Sequence, residues 1–411
     1  MEVKPSFKQT VIGVMPESWG VVLLDTVAKR GSGHTPDKKH PEYWNGSIKW
    51  VSLQDSAALD NLYIEDSAAT ITPAGIANSS AVLHPAGTVV LSRDAGVGKS
   101  AIMKEEMAVS QHFMAWQCGS KLDNHFLYYW LQARKSEFER IANGSTIKTI
   151  GLPYFRTLCI QLPELLEQRA IATALSDIDA LLAAQDKLIA KKRNIKQATM
   201  QQLLTGKRRL PGFSGEWEVK RLGDVATVLK GSGLSKGKVS QAGSSKCVLY
   251  GELFTTYSRI ITEVCSSTDF NEGLPSVYGD VLLPGSTTTV GIDLATASAL
   301  LCDGVLLGGD INVVRAKGLG YSPEFLAYLL TEEKRNQIAD MAQGITIIHL
   351  YGKSLLQLEL CLPSLEEQTA IATVFSDMDT KLAALEQQRD KTRALKQGMM
   401  QELLTGRIRL V

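Results

Sequence analysis

The chain repeats one segment of 49 residues, and this repeat constrains its fold more than any other feature. Residues 162–210 and 362–410 align without a gap at an offset of 200 and share 27 identical positions. A shorter echo precedes each copy, because ANGSTIKTI at 142–150 corresponds to AQGITIIHL at 342–350. Gly-Ser-Gly also occurs near the start of each half, but the remaining sequence diverges almost completely. The repeat therefore predicts the order variable, constant, variable, constant.

Each constant segment has the pattern of a long helix. Its apolar residues step by three and four, as at the seam of a coiled coil. Pro163 and Pro363 suit a helix start, and Gly206 and Gly406 suit a helix end. At 1.5 Å per residue, nearly forty residues give a helix of about 60 Å. The predicted seam residues are Ile171, Leu175, Ile178, Leu182, Ile371, Phe375, Met378 and Leu382.

The two helices are expected to pack on each other. A helix this long cannot bury its apolar stripe against itself, so a two-stranded spacer is the simplest arrangement. The sequence does not fix the relative direction of the helices, although an antiparallel pair is the expected one. The alternative, in which each helix lies on its own domain, stays open.

The variable segments are expected to be globular domains of mixed α/β (α+β) class. Short apolar stretches such as 87–92 and 279–283 are typical of strands, while 126–142 is typical of a helix. The predicted segments are a first domain at 1–161, a first long helix at 162–206, a second domain at 207–361 and a second long helix at 362–411.

Composition narrows the class of protein. The net charge is +1, so any basic surface has to arise by segregating charge within the fold. The six cysteines include no Cys-x-x-Cys pair, and the six histidines show no ligand spacing, which argues against disulfide and zinc frameworks. No stretch approaches the ~18 apolar residues of a membrane-spanning helix. We therefore expect a cytoplasmic protein without a membrane partner or a metal.

The constant segments resemble the conserved regions of type I restriction-modification specificity subunits. The likeness rests on the Leu-Pro-x-Leu-x-Glu-Gln opening, the Ala-Ile-Ala and Ser-Asp-x-Asp continuations and the Leu-Leu-Thr-Gly ending, each present twice. The approach sequences IGVMPESW and GFSGEWEVKRLGDVA resemble the family's entry into each target-recognition domain. The resemblance covers the whole chain and implies a non-catalytic protein that reads a split double-stranded DNA sequence, one half per variable domain.

The resemblance also implies partners. Two modification (methyltransferase) subunits would dock on the conserved helices, and restriction subunits with translocase and nuclease activity would join through the complex. S-adenosylmethionine and ATP would be bound by those partners, so no cofactor is expected in this chain. Two other hypotheses remain: a coiled-coil scaffold that joins protein partners, and the recognition subunit of a fused methyltransferase-nuclease system.

Two features could be mistaken for catalytic motifs. The segment 94–101 (DAGVGKSA) contains Gly-Lys-Ser, but Arg93 stands where a phosphate-binding loop requires its first glycine. A glycine-rich turn between strands is therefore expected there. The acids of the constant segments are expected to cap, to be solvated or to make contacts rather than to catalyse. They are Glu167, Asp177, Asp179, Glu367, Asp377 and Asp379.

Candidate DNA contacts divide into those that position the protein on phosphates and those that read bases. Cations beside glycines suit phosphates, because glycine lets backbone amides approach an anion. These are Lys29, Arg30, Lys38, Lys39, Arg93, Lys99, Lys230, Lys236 and Lys238. Polar and aromatic side chains on early strands or in threonine-rich segments suit bases. These are Trp50, Ser52, Gln54, Ser145, Thr146, Lys148, Tyr250, Glu252, Thr287, Thr288, Thr289 and Thr346.

Two further expectations concern cations. Replacing Arg93 by Ala is expected to weaken DNA binding without unfolding the protein. The basic cluster within the first constant segment is expected to form a solvated helix face, with phosphate binding as the less favoured interpretation. That cluster consists of Lys191, Lys192, Arg193 and Lys196.

Overall fold

The computed structural model describes residues 7–10, 13–240 and 242–411, and it divides into two compact units. The first unit comprises the chain up to residue 186 together with 387–411, and the second comprises 187–386. Residues 1–6 and 11–12 of the predicted first domain, and Gln241 of the second, lie outside the described residues. Each long helix therefore contributes one part to each unit, while the predicted domain limits remain a prediction.

Among its described residues, the first unit contains thirteen strands and four short α-helices before the first long helix. The strands are β1 (Phe7–Thr10), β2 (Gly13–Pro16), β3 (Gly20–Leu23), β4 (Ala28–Ser32), β5 (Trp44–Val51), β6 (Tyr63–Ile64), β7 (Ala69–Ile71), β8 (Leu83–His84), β9 (Val89–Ser92), β10 (Ser100–Met103), β11 (Met107–Val109), β12 (Phe113–Cys118) and β13 (Cys159–Leu162). The helices are α1 (Pro73–Ala77), α2 (Asn124–Ala133), α3 (Lys135–Ile141), α4 (Leu152–Arg156) and the long α5 (Leu165–Leu203).

The described residues of the second unit likewise contain thirteen strands, but five short α-helices. Its strands are β14 (Glu218–Arg221), β15 (Ala226–Lys230), β16 (Ser245–Val248), β17 (Ile260–Ile261), β18 (Ser267–Thr268), β19 (Leu274–Pro275), β20 (Asp280–Pro284), β21 (Ser286–Thr287), β22 (Ser298–Leu300), β23 (Leu306–Leu307), β24 (Ile311–Ala316), β25 (Ile348–His349) and β26 (Glu359–Leu362). Its helices are α6 (Leu222–Val225), α7 (Glu252–Thr255), α8 (Pro323–Tyr328), α9 (Arg335–Asp340), α10 (Gly352–Leu355) and the long α11 (Leu365–Leu403).

The two larger sheets of each unit have the same topology although the variable sequences diverge. The five-stranded sheets are ordered β4-β12-β9-β10-β6 and β15-β24-β20-β22-β17, and the four-stranded sheets β7-β5-β11-β8 and β18-β16-β23-β19. Even the parallel pairs agree, because β6 runs parallel to β10 as β17 does to β22, and β5 to β11 as β16 does to β23. The two variable domains are therefore versions of one fold, and the predicted mixed α/β class is confirmed.

The main core of each unit joins its variable domain to parts of both long helices. In the first unit Trp116 packs in one buried cluster with Ile171 of α5 and with Leu403 of α11. In the second unit Phe325 packs with Ile371 of α11 and with Leu203 of α5. Burying a large apolar side chain contributes about 1.5–3 kcal/mol, so these residues hold the helix ends on the domains. The alternative that each helix lies on its own domain is therefore wrong, because the end of each long helix packs on the other domain.

In each unit the beginning of one long helix runs antiparallel to the end of the other. In the first unit Asp179 of α5 forms an ion pair with Lys396 of α11, with 2.6 Å between Oδ1 and Nζ. In the second unit Lys196 of α5 pairs in the same way with Asp379 of α11. These pairs confirm the predicted antiparallel packing.

The seam is more polar than its apolar spacing indicates. Four of the predicted seam residues are fully buried, Ile171, Leu175, Ile371 and Phe375, and the other four, Ile178, Leu182, Met378 and Leu382, are half-buried. Further along α5 the seam contains Gln185, whose amide donates to the Thr392 hydroxyl at 3.2 Å. The seam therefore combines an apolar part near each domain with a hydrogen-bonded part beyond it.

One prediction about the basic cluster of α5 is wrong. Lys191, Lys192 and Arg193 are exposed as expected, but Lys196 is only 9% exposed. Its ammonium pairs with the Asp379 carboxylate instead of facing solvent. The spacing of charges along α5 could not reveal this, because the partner lies on α11.

Among the residues described, no helix is both long and apolar enough to cross a membrane. The described ranges also contain no group of three or more His, Cys, Asp or Glu side chains placed to hold a metal ion. All six cysteines belong to the described part of the chain, and all are free.

Candidate nucleic-acid interface

Each unit carries an exposed hairpin within the repeated echo, which we call a tongue. The first tongue spans residues 143–149, where Asn143 and Thr149 exchange backbone hydrogen bonds of 3.0 and 2.9 Å. The second spans 343–349, where Gln343 and His349 exchange bonds of 3.0 and 2.8 Å. The side chains from 143 to 148 and from 343 to 347 are exposed. The repeat therefore encodes the same protruding loop twice.

The first tongue is anchored to the loop that follows β9. Asp94 forms a β-bridge with Thr149, and the Ile150 amide donates to the Arg93 carbonyl at 2.9 Å. The Arg93 side chain, only 16% exposed, donates from Nε to the Ile150 carbonyl at 3.1 Å. An Arg93→Ala substitution would thus disturb this anchor as well as any phosphate contact, so it does not test DNA binding alone.

The second tongue is anchored in the same way to the loop that follows β20. Its strand β25 pairs with β21, and the Leu350 amide donates to the Gly285 carbonyl at 2.9 Å. The Asn312 side chain holds the Leu350 carbonyl at 2.9 Å. Because β9 and β20 occupy the same place in their sheets, both tongues stand beside equivalent variable loops.

A polar pair that differs between the units lies beside each tongue. In the first unit Asp94 and His112 are joined at 2.7 Å between Oδ2 and Nδ1. In the second unit the Ser286 hydroxyl donates to Asp310 at 2.5 Å, and Lys230 lies 3.1 Å from the same carboxylate. His112 directly precedes β12 and Asp310 directly precedes the equivalent strand β24. Equivalent positions therefore offer different donors and acceptors.

Hydrogen bonds and a nearby lysine favour the charged form of the Asp310 carboxylate. Burial acts to raise the pKa of Asp310, but hydrogen bonds from Ser286 and Lys230 hold that pKa below its ordinary value. Asp310 also has a φ of 63°, a conformation that costs energy for a residue other than glycine. A charged carboxylate held in a strained backbone conformation is typical of a functional position.

The sequence did not single out Asp94, His112, Ser286 or Asp310. Each lies one or two residues from the end of a buried strand, as many loop residues do. Only the strand order brings these residues next to a tongue, so no local sequence signal identifies them.

The glycine-rich segment after β9 is a hairpin turn. It joins two antiparallel strands, β9 and β10, whereas a phosphate-binding loop leads into a helix. Ala95, Gly96 and Gly98 have φ values of 43°, 118° and 85°. The Lys99 ammonium donates to the Ser56 carbonyl at 2.9 Å rather than standing free for a phosphate. The predicted turn is confirmed.

The remaining candidates differ in how accessible they are. Thirteen of the candidate side chains are exposed: Lys29, Lys38, Lys39, Gln54, Ser145, Thr146, Lys148, Lys230, Lys236, Tyr250, Thr288, Thr289 and Thr346. Five are half-buried, Arg30, Arg93, Lys99, Lys238 and Glu252, and three are buried, Trp50, Ser52 and Thr287. No observation tests their contact with DNA, so all remain predictions.

Several of the less exposed candidates already serve the fold. The Trp50 indole donates to the His34 carbonyl at 3.0 Å, and the Ser52 hydroxyl caps the short helical turn Leu53–Ala57. Glu252 accepts from the Leu249 amide at 2.8 Å. These contacts are the ones expected of half-buried strands and turns, so the exposed residues are the stronger candidates for DNA contact.

The repeated acids make structural contacts. Glu167, 1% exposed, accepts hydrogen bonds from the Trp19 indole at 3.0 Å and from Nε and Nη2 of Arg409. Glu367, fully buried, is held by Arg209 in the second unit. The next residue of each repeat, Gln168 or Gln368, bonds the backbone of the chain before the helix.

The acids of the next turns also make contacts. Asp179 and Asp379 each accept from a tyrosine hydroxyl at 2.8 Å, from Tyr129 and Tyr328 respectively. Because each carboxylate also pairs with a lysine, both acids act in packing. Asp177 and Asp377 are exposed.

Comparison with known protein families matches most of the chain. A family model described as the type I restriction modification DNA specificity domain matches residues 16–192 and again 214–392. The type I restriction enzyme MjaVIII specificity subunit of Methanocaldococcus jannaschii is 23% identical over 96% of this chain and 94% of its own length. The MjaIX specificity subunit of the same organism is 29% identical, but the match covers 55% of this chain and 56% of that relative.

Solved structures share the fold. The S subunit of a type I restriction-modification system from M. genitalium has a TM-score of 0.57 and 14% identity, covering 98% of this chain and 99% of that one. The HsdS subunit from Thermoanaerobacter tengcongensis has a TM-score of 0.51 and 16% identity, covering 96% and 98%. At these identities the likeness concerns the fold alone.

Proposed function

Because the chain belongs to the type I restriction-modification DNA specificity family, we propose that it reads a two-part DNA target, one half-site per variable domain. The observation that carries this proposal is that the two units share one fold but differ in the polar side chains beside their tongues. Their sheets and tongues are the same, whereas Asp94 and His112 in one unit stand where Ser286 and Asp310 stand in the other. Two copies of one fold with different polar groups suit two different short sequences.

Specificity would follow from these groups and from their exposed neighbours. Base pairs differ in the donors and acceptors that their edges present, so replacing His-Asp by Ser-Asp-Lys changes what a site can accept. Exposed cations such as Lys38 and Lys236 would neutralise phosphates and position the protein without selecting sequence. The chain's role is recognition, and chemistry belongs to its partners.

The partner subunits would bind the constant helices. Two modification subunits fit a chain in which the same helix occurs twice, because each copy offers equivalent contacts. Restriction subunits would join through the complex, and S-adenosylmethionine and ATP would be used by the partner subunits.

The direct test is to map what the complex methylates. The full chain is produced with its modification subunits in a host that lacks other methyltransferases, and methylated bases are located across the genome. We expect one motif of two short parts separated by a gap of constant length. A continuous motif, or no methylation together with no DNA binding at low salt, would contradict the proposal.

Matched variants assign each part of the motif to a unit. His112→Ala in the first unit should relax the base preference of one part, and Ser286→Ala in the second unit should relax that of the other. The gap should stay unchanged in both variants. If either substitution alters both parts equally, the polar pairs do not read separate half-sites.

A further inference from the structure

The tongues are constant where their surroundings are variable. At the same offset of 200, three residues of the tongues are identical: Gly144 and Gly344, Thr146 and Thr346, Ile147 and Ile347. The polar pairs next to them differ. Residues that are the same in both tongues cannot distinguish two half-sites, so their partner has to be a feature that both half-sites share.

Glycine preserves the shape of both tongues. Gly144 and Gly344 have φ values of 132° and 131°, which residues other than glycine rarely adopt. A Cβ on Gly144 would lie 2.2 Å from the Ile147 carbonyl oxygen, and one on Gly344 would lie 2.0 Å from that of Ile347. The same tight turn therefore presents the same isoleucine in each unit.

Both tongues carry exposed isoleucines. Ile147 and Ile347 are 55% and 49% exposed, and Ile345 at the tip of the second tongue is 98% exposed. Residues 344–348 of the second tongue, GITII, include no charged side chain. Side-chain neutralisation of phosphates therefore cannot be the role common to both tongues, whereas an apolar contact can.

On the basis of the proposed function, we propose that each tongue is a sequence-independent wedge that presses its isoleucines against base steps in the minor groove. Isoleucine is one of the side chains that proteins insert there, where it unstacks neighbouring bases and bends the duplex. Asp94 pairs through its backbone with Thr149 of the first tongue, and Ser286 pairs in the same way with His349 of the second. A wedge and a variable polar pair would therefore share one half-site. The wedge would hold the DNA while the pair selects bases.

Alanine substitutions test the wedge in the full chain with its modification subunits. Ile147→Ala and Ile347→Ala should each lower the affinity for the mapped target about tenfold, because most of the apolar surface that isoleucine buries against the bases is removed. Base preference should not change. The slope of affinity against salt should not change either, since no phosphate contact is lost. A fluorescent base analogue in the half-site should report less unstacking.

Leu319→Ala is the matched control. Leu319 is 91% exposed in the second unit and lies outside the tongue, so its removal should leave affinity and unstacking unchanged. Thermal unfolding of all three variants should match the parent, since exposed side chains contribute little to stability.

The outcomes separate this inference from the proposed function. If the parent complex binds DNA and the tongue variants keep full affinity and unstacking, the wedge is wrong while the recognition function stands. Loss of assembly with modification subunits at unchanged DNA affinity would also overturn the wedge and assign the tongues to protein docking. If the parent complex binds no DNA, the proposed function itself fails.

Discussion

At the scale of residues, ion pairs join the end of each copy of the repeat to the start of the other copy. The last arginine of each copy holds the glutamate of the Glu-Gln pair in the other, so that Arg409 binds Glu167 and Arg209 binds Glu367. Both glutamates are almost wholly buried. A buried carboxylate requires such a partner because leaving it unpaired costs several kcal/mol. The motif that carries the family resemblance is thus, physically, a set of ion pairs that attach one helix to the end of the other.

Removing one of these arginines should destabilise the chain. Arg409→Ala leaves the Glu167 carboxylate with the Trp19 indole as its remaining named donor, and we expect a loss of about 3 kcal/mol in the free energy of unfolding. The loss should appear as a lower urea midpoint. The double variant Arg409→Ala with Glu167→Gln should recover part of that loss, because the amide carries no charge. A single variant as stable as the parent would show that this pair contributes nothing.

Alkaline pH should weaken both units through buried tyrosines. Burial raises the pKa of Tyr129 and of Tyr328, and the nearby Asp179 and Asp379 carboxylates raise each pKa further. A folded-state pKa above the unfolded value of about 10 means that stability is intact below about pH 10 and falls as the pH rises further.

Phenylalanine variants isolate this contribution from that of the lysines. Tyr129→Phe with Tyr328→Phe removes the hydroxyl contacts of Tyr129 with Ser176 and Asp179 and that of Tyr328 with Asp379. Stability at neutral pH should therefore fall by about 1 kcal/mol per site. The double variant should then lose less stability than the parent between pH 10 and pH 12, as measured by urea unfolding at each pH. An identical alkaline loss in both proteins would exclude the tyrosines as its cause.

At the scale of elements, strand register corrects one match made by sequence. The two Gly-Ser-Gly segments, at 31–33 and 231–233, are not equivalent in the structure. A Cβ on Gly33 would lie 1.6 Å from the Val109 carbonyl oxygen, and one on Gly231 would lie 2.0 Å from that of Gly308. Each of these two glycines lies at or just beyond the end of its edge strand, β4 or β15. Gly33 therefore corresponds to Gly231, and the shared letters are displaced by two residues.

The helix ends offer a matched test of backbone conformation. Gly206 and Gly406 follow α5 and α11 with φ values of 68° and 71°, the left-handed conformation that ends many helices. Alanine there costs about 1 kcal/mol from backbone strain alone. A Cβ on Gly406 would lie 2.5 Å from the Pro16 ring, whereas one on Gly206 would lie 3.3 Å from the Trp217 ring.

Gly406→Ala should therefore destabilise the chain more than Gly206→Ala. The expected losses are about 1 kcal/mol for Gly206 and at least twice that for Gly406, since the rigid proline ring has to move. Thermal unfolding of the two variants gives the comparison directly. Equal losses would mean that strain, and not the close contact, decides the cost.

At the scale of the whole molecule, the long helices are proposed to set the gap between the two half-sites. Each unit keeps its own helix pairing, with Asp186 near Arg389 in the first and Arg193 paired with Glu386 in the second. A heptad inserted into both helices, after Asp186 and after Glu386, preserves all of these pairs. It adds about 10 Å of helix.

We expect this double insertion to lengthen the gap in the target by about three base pairs, at about 3.4 Å per base pair. The readout is selection from a library of DNA targets with gaps of different length. A heptad in α5 alone is the control, because the two helices would then differ in length and stability should fall. If the double insertion folds and keeps the original gap, the helices are not the spacer.

The duplicated plan, the two long helices and the family could all be predicted from the sequence alone. These depend on patterns that are local or repeated: apolar residues at steps of three and four, glycines after the helices, and 27 identities across 49 positions. Such signals survive without tertiary information because the helix period and the repeat are properties of the chain itself.

The fold was needed to show that both variable domains share one strand order, that Lys196 is buried against Asp379, and that Asp94 and Ser286 lie beside the tongues. Strand order depends on contacts between segments far apart in sequence, and different apolar residues can fill the same core. The polar groups at a site are likewise brought together by those contacts. The amino-acid sequence therefore predicted which parts are constant, while the fold showed which variable residues lie next to them.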